Sequence, residues 1–356
     1  MTMGISTQIL LNPNAHYQSV SRAWQTHQRK ILRSLAPAEV VLAESFLEAK
    51  TIVKAGALKG VRRFIAVGGP ELMHGLINAV MELSEPHRET LLIGELSLFR
   101  PVGMNQTLAM PTSIQEQLAI LEAGHTLPVD IGRVEWVDAK GAPQDRYFLN
   151  GAGFLLGGRI LGTLSNWKVE LPKSLDEATN IFENYWEQLS PVVSIESEGK
   201  VLYEGRCPAL LVMGGRFYNK MGEVAPKANP NDGSLEVVWQ PAKRGVGSVL
   251  GMAHLLIPGT NGFKKANRAK AQNLQIASRQ SPVMFEADGI PTGQLPANFS
   301  VVPRALPLIT PYVGGRVKKP VFKKLSVPNG RELAGTPRAV VQREASNSKR
   351  KQKIAV

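Results

Sequence analysis

Phe64-Ile65-Ala66-Val67-Gly68-Gly69-Pro70-Glu71-Leu72 is the stretch on which the fold turns. The apolar run Phe64 to Val67 reads as a buried strand, and two glycines end it. Met73-His74-Gly75-Leu76-Ile77-Asn78-Ala79-Val80-Met81 follows with apolar residues at helical spacing. Strand, glycine turn and helix form the arrangement by which an α/β protein brings backbone N–H groups and a helix N-terminus to a phosphate. Here Pro70, Glu71 and Leu72 stand where such a turn calls for small or acidic residues. Pro70 removes one donor and fixes φ, and Leu72 has no hydroxyl. Close approach of Gly68 and Gly69 to an anion and a plain strand-to-helix turn are both open readings. In the second, Pro70 takes the first helical position and Glu71 complements the helix dipole.

The same alternation extends in both directions. Ile9-Leu10-Leu11 ends in the turn Asn12-Pro13-Asn14-Ala15, and residues from Ser19 to Leu35 suit an amphipathic helix with Val20, Trp24, Ile31 and Leu35 on its apolar stripe. Val40 to Leu42 reads as a strand, and Ser45 caps the helix that runs to about Leu58. Leu91 to Ile93 is a further strand, and Ser113 and Glu116 are spaced as a capping box. Residues 1–125 therefore predict an α/β domain, a parallel sheet with helices on both faces. After His125 the pattern changes to strands joined by Gly, Asn, Pro and Asp, with Ser174 to Leu189 as the main helix. Residues 126–311 predict a β-rich antiparallel sandwich or barrel-like domain, whose last strands can return to the first domain.

Charge divides the chain differently. Of the formal net charge of +13, the stretch 312–356 carries +10, with 12 Lys or Arg against Glu332 and Glu344. This basic tail is expected to be disordered, and its charge suits an anionic surface. Lys264-Lys265-Ala266-Asn267-Arg268-Ala269-Lys270 is a second basic cluster. The single cysteine, Cys207, excludes an internal disulfide framework and reads as a small buried residue. No run reaches the roughly 18 apolar residues of a membrane span. The expected location is cytoplasmic, peripheral on the inner face of the membrane. The histidines lack zinc spacing, and no metal-ligating set is expected.

Taken in order, these segments resemble the diacylglycerol kinase and sphingosine kinase family of lipid kinases, from about Ile9 to Pro311. Asn12-Pro13-Asn14-Ala15 is similar to the family's opening Asn-Pro turn. Val67-Gly68-Gly69-Pro70-Glu71-Leu72 stands at its Gly-Gly-Asp-Gly-Thr, and Pro101-Val102-Gly103-Met104-Asn105-Gln106-Thr107-Leu108-Ala109 at its Pro-Leu-Gly-Thr-x-Asn-Asp-Leu-Ala. Tyr147-Phe148-Leu149-Asn150 resembles its second-domain entry strand. Ala225 to Leu235, with Asp232-Gly233, resembles its Ala-Pro-Asp segment. Phe285-Glu286-Ala287-Asp288-Gly289-Ile290 stands at its Asp-Gly-Glu turn, and Val302-Pro303-Arg304-Ala305-Leu306 at its closing Pro-x-Ala-Leu.

The resemblance implies ATP-dependent phosphorylation of a hydroxyl on a diacylglycerol-like or sphingoid lipid, with Mg²⁺ as the metal. By position Asp288 inherits the general base, and Asn12, Gly68, Gly69, Glu71 and Gly103 surround the nucleotide. The departures bear on this expectation. Pro70, Glu71 and Leu72 stand at the Asp, Gly and Thr of the glycine turn, Met104, Gln106 and Thr107 replace Thr, Asn and Asp, and Ile290 replaces Glu. Lys227 replaces a carboxylate of the family's structural Mg²⁺ site beside Asp232. Each lost group removes charge stabilisation from a phosphoryl transition state. Phosphorylation is expected to be weakened or lost. The alternative is a silent protein of this fold that binds lipid or a protein partner at the membrane. Nucleic acid is not the expected partner.

Overall fold

The computed structural model describes residues 5–15, 19–155, 189–218, 221–242, 263–279 and 282–311. The expectations for the helix at Ser174 to Leu189, apart from Leu189 itself, and for the tail at 312–356 lie outside the described residues.

The first third alternates as the periodicity predicts: β1 (Thr7–Leu11), α1 (Ser19–Ser34), β2 (Ala38–Leu42), α2 (Phe46–Leu58), β3 (Arg63–Val67) and α3 (Pro70–Met81). After them come α4 (Glu85–Glu89), β4 (Leu92–Glu95), α5 (Gly103–Thr107) and α6 (Ile114–Ala123). Ser45 accepts from the Glu48 backbone N at 3.2 Å and caps α2. Ser113 accepts from Glu116 N at 3.5 Å at the start of α6. β1 lies between β2 and β3, and β4 follows β3, all in parallel register. One face of this sheet packs against α2 and α3 through Val53, Ala57, Leu72 and Leu76. The other carries α1 and α6 through Val20, Trp24, Ile31, Leu118 and Leu121. The stripe expected on α1 is buried in full, Leu35 included.

β5 (Thr126–Val137), β6 (Pro143–Phe148), β7 (Gly151–Leu155), β8 (Val192–Ser197), β9 (Lys200–Arg206) and β10 (Ala209–Met213) follow. The chain then forms β11 (Leu235–Gln240), β12 (Asn267–Ala271), β13 (Asn273–Ser278), β14 (Met284–Ala287), β15 (Ile290–Gln294) and β16 (Ala297–Ile309). Six of these form an antiparallel sheet in the order β12-β11-β10-β7-β14-β15. The others extend the first sheet. The long strand β16 pairs antiparallel with β13 and β5, and parallel with β4 at Leu308 and Ile93. Phe148, Phe154, Phe285, Phe299 and Trp136 fill the space between the two sheets, where the edge-to-face contacts of Phe285 with Trp136 and Phe299 fix the packing. Trp136 and Trp239 are core residues.

α3 departs from a simple amphipathic helix. Every residue from Leu72 to Met81 is buried, because the sheet, α2 and β6 enclose it. Its two interior polar side chains are therefore matched to partners. Asn78 donates to the Tyr147 carbonyl at 2.9 Å and accepts from the Tyr147 N–H at 3.0 Å, as a strand neighbour would. His74 turns toward Asp288. This buried helix carries the glycine turn at one end and reaches the β-rich half along its side.

Candidate active site

The fully buried strand β3 delivers Gly68 and Gly69 to the start of α3. Gly68 holds φ at +143°, where a side chain is strained, and a Cβ there would lie 3.0 Å from Asn12 Cβ and 3.2 Å from the Asn12 carbonyl. Asn12, nearly buried, donates its backbone N–H to Val67 O at 3.1 Å. Gly69 is the N-cap and Pro70 the first helical residue. Glu71 folds back over the turn. A Cβ on Gly69 would fall 2.2 Å from both Glu71 carboxylate oxygens, and Asn12 Nδ2 donates to Glu71 Oε1. Asn12, Gly68, Gly69 and Glu71 thus form one contact group.

Asp288 occupies the turn between β14 and β15 with φ at +52°, a left-handed position that aspartate accepts more readily than most residues. Its carboxylate is one-tenth exposed. Oδ1 accepts from the backbone N–H of Asn150 at 2.8 Å and of Gly151 at 3.2 Å. Oδ2 accepts from Leu149 N at 2.9 Å and lies 3.1 Å from His74 Nδ1. An ionised carboxylate only accepts, so Nδ1 is the protonated ring nitrogen in this pair. The Asp288 N–H returns a bond to Gly151 O at 2.8 Å. The aspartate therefore holds the entry to β7 against α3. His74 is fully buried, its ring lies 5.2 Å from that of Phe46, and its Nε2 has no partner.

Gly103, with φ at +56°, opens α5 against the side chain of Asn150, 3.3 Å from where a Cβ would stand. A Cβ on Gly215 would meet Asn150 Oδ1 at 2.5 Å, and this buried oxygen has no hydrogen-bond partner. Thr107 donates to Gly103 O at 3.0 Å and accepts from Arg216 N at 2.9 Å, so its hydroxyl is spent within the loop. Met104 is buried, as its apolar side chain predicts.

Two further carboxyl groups feel Asp288. Glu95, half-buried at the end of β4, is pushed up to about 7, first by burial and then by the charge of Asp288. Glu286, almost fully buried beside the hydroxyl of Tyr218, is pushed up to about 8 by the same two causes in the same order. Burial drives the Cys207 thiol up to about 12, in keeping with a packing residue rather than a nucleophile.

The residues singled out in the sequence thus form two groups. Glu71 and His74 stand one helical turn apart on α3, His74 meets Asp288, and Asn150 links Asp288 to Gly103. The two connecting residues, His74 and Asn150, are not among the site residues expected from the sequence, although Asn150 ends the entry-strand motif. His74 was weighed there for zinc spacing alone, although a histidine one turn after Glu71 on an apolar helix is itself a signal. Glu95 and Glu286 carried no such signal, because their altered acidity comes from burial and from a residue distant in the chain.

The phosphates of ATP do not fit the glycine turn as it stands, because the Glu71 carboxylate lies on Gly69 and Pro70 offers no N–H. Among the described residues no three His, Cys, Asp or Glu side chains converge on one point. Asp232 accepts from the Ser234 hydroxyl at 2.7 Å and pairs with Lys270, while Glu236 accepts from the Lys227 N–H at 2.8 Å.

Comparison with known proteins identifies the architecture. Residues 185–310 match the family described as the YegS C-terminal NAD kinase beta sandwich-like domain. The diacylglycerol kinase of Staphylococcus epidermidis is 27% identical over 260 residues, covering 69% of this chain and 73% of that protein. The diacylglycerol kinase of Staphylococcus carnosus is 27% identical over 263 residues, covering 69% and 76%. A crystal structure of a Bacillus anthracis diacylglycerol kinase superposes with a TM-score of 0.60 at 15% identity, covering 87% of this chain and 98% of its own. Another from that organism reaches 0.64 at 16% identity, covering 87% and 96%, and these two likenesses establish the fold. In sequence and in fold this chain is thus similar to the diacylglycerol kinases, with replaced polar residues in the glycine turn and second loop.

Proposed function

We propose that this chain keeps the lipid kinase fold with phosphoryl transfer weakened or lost, and that it acts by binding a diacylglycerol-like or sphingoid lipid at an anionic membrane surface. One observation carries the reading. The four acceptor positions of the Asp288 carboxylate are taken, three by backbone N–H groups and one by His74. A general base needs a lone pair within reach of the hydroxyl it deprotonates. Asp288 has none to give while it anchors Leu149 to Gly151. The relatives named diacylglycerol kinases support the diacylglycerol-like choice. The charge of the 312–356 tail supports the anionic surface. No described helix is long and apolar enough to cross a membrane.

A second reading rests on Glu95. A half-buried carboxyl held near 7 is suited to accept a proton at neutral pH, and the charge of Asp288 helps to hold it there. In that reading the chain is a lipid kinase whose base has moved from Asp288 to Glu95. Both are tested by incubating the purified protein with Mg²⁺, labelled ATP and a panel of diacylglycerol-like and sphingoid lipids in anionic vesicles. The silent reading expects co-sedimentation with the vesicles and no labelled lipid above the protein-free background. Labelled lipid that falls at least 100-fold in Glu95→Gln would establish the second reading instead.

A further inference from the structure

Two features of the glycine turn remain without a role in that proposal, an acidic side chain lying on a glycine and a buried amide aimed at it. We propose that Glu71 is an internal plug, a carboxylate of the chain itself that fills an anion seat at the start of α3 and keeps phosphate-bearing ligands out. The inference rests on the silent reading above and deepens it by naming the residue responsible.

The seat is built from three elements. β3 is followed by Gly68, whose φ of +143° brings its backbone against Asn12. Gly69 presents a bare Cα, so that nothing but hydrogen separates the backbone from the carboxylate above it. Asn12 is 5% exposed and directs its Nδ2 amide at Glu71 Oε1, while its Oδ1 accepts from Asn14 N at 3.0 Å and so fixes which end of the amide faces the seat. An anion is therefore already present there, held by a buried donor. The twelve-residue helix α3 adds the positive end of its dipole.

Glu71 is placed to do more than cap. A capping-box glutamate stands at the third helical position and bonds the N-cap N–H. Glu71 stands at the second and accepts from Asn12, a side chain in the turn that follows β1. Both its oxygens lie over Gly69, where a free anion would need to sit to meet the Asn12 amide. An incoming phosphate would meet a bonded carboxylate of like charge. Occupation and repulsion act together, and truncation removes both.

The test is thermal denaturation of the full chain with and without inorganic phosphate, and separately with Mg-ATP, for wild type, Glu71→Ala and Glu71→Gln. A ligand that binds only the native state raises its melting temperature. Wild type should not shift. Glu71→Ala should rise by about 2–4 °C at ligand concentrations about 100 times the dissociation constant. Glu71→Gln keeps the volume and the bond from Asn12, and should stay unshifted. A wild type that itself rises with Mg-ATP counts against the silent reading and the plug together. A silent wild type with an equally silent Glu71→Ala overturns the plug alone. A shift in Glu71→Ala that persists in the double variant Asn12→Ala/Glu71→Ala would remove Asn12 from the seat and overturn the geometry proposed for it. Urea denaturation of each variant without ligand confirms that it is folded.

Discussion

Asp288→Ala is expected to lose about 3–5 kcal/mol of folding stability, well beyond the ordinary effect of removing a polar side chain at a turn. The substitution strips the acceptor from the N–H groups of Leu149, Asn150 and Gly151 and from His74 Nδ1. Each buried donor left unpaired costs about 1–3 kcal/mol, with water relieving part of the total. Alanine in the left-handed conformation that Asp288 holds adds about 1 kcal/mol. Asp288→Asn should lose less, about 1–3 kcal/mol. Its amide oxygen can keep the bonds from Asn150 and Gly151, and asparagine tolerates the backbone angle. Its NH₂ group then faces Leu149 N–H and His74. The imidazole can answer by moving its proton to Nε2, whereas the backbone N–H cannot. Urea denaturation of the three proteins checks the order. A loss below 1 kcal/mol in Asp288→Ala would show that the carboxylate does not anchor the entry to β7. The consequence for enzymology is direct: an inactive Asp288 variant says nothing about catalysis until its stability is known.

Much of the fold could be read from the sequence because local patterns agreed with the final packing. Val20, Trp24, Ile31 and Leu35 repeat at helical spacing, and all four are buried. Ser45 and Ser113 announce helix starts, and both cap. Asp288-Gly289 announces a tight turn and joins β14 to β15. The five-residue helix α5 was not legible, being too short to show a period in Gly103 to Thr107. Nor was the ten-stranded sheet, whose assembly depends on β16 pairing with strands more than 150 residues away.

The site was legible in a different way. Asn12, Gly68, Gly69 and Glu71 were all named from motifs, and they touch. What motifs could not convey is direction. Pro70-Glu71-Leu72 shows which groups are replaced, but only the fold shows that Glu71 turns back onto Gly69. For Asp288 the motif pointed to a proton acceptor, while the geometry shows an acceptor already filled. The difference lies in Leu149, Asn150 and Gly151, whose backbone N–H groups carry no sequence signature at all.

Stability should fall as pH rises from 5 to 9, and Glu286 should be the largest single cause. Burial, then the charge of Asp288, raises its carboxyl from the ordinary 4.5 to about 8 in the native state. A raised carboxyl binds its proton more tightly folded than unfolded. Below about 4.5 both states are protonated and Glu286 costs nothing. Between about 4.5 and about 8 the unfolded chain releases the proton while the folded chain retains it, so each pH step favours unfolding. Above about 8 both states are ionised and the loss levels off, at on the order of 4–5 kcal/mol. The native state keeps the proton because the charged form would stand 3% exposed beside Tyr218 with Asp288 two residues away. Glu286→Gln retains the shape and an acceptor for Tyr218 without the ionisation. It should match wild type near pH 5, exceed it at pH 9, and show a much flatter profile. The slope that remains should carry the same sign, because Glu95 is raised to about 7 by the same causes. Urea denaturation at pH 5, 7 and 9 for wild type, Glu286→Gln and the Glu95→Gln/Glu286→Gln double variant separates the two contributions. Parallel profiles for wild type and Glu286→Gln would mean that Glu286 ionises freely in the folded protein, and that its contact with Tyr218 does not exclude water.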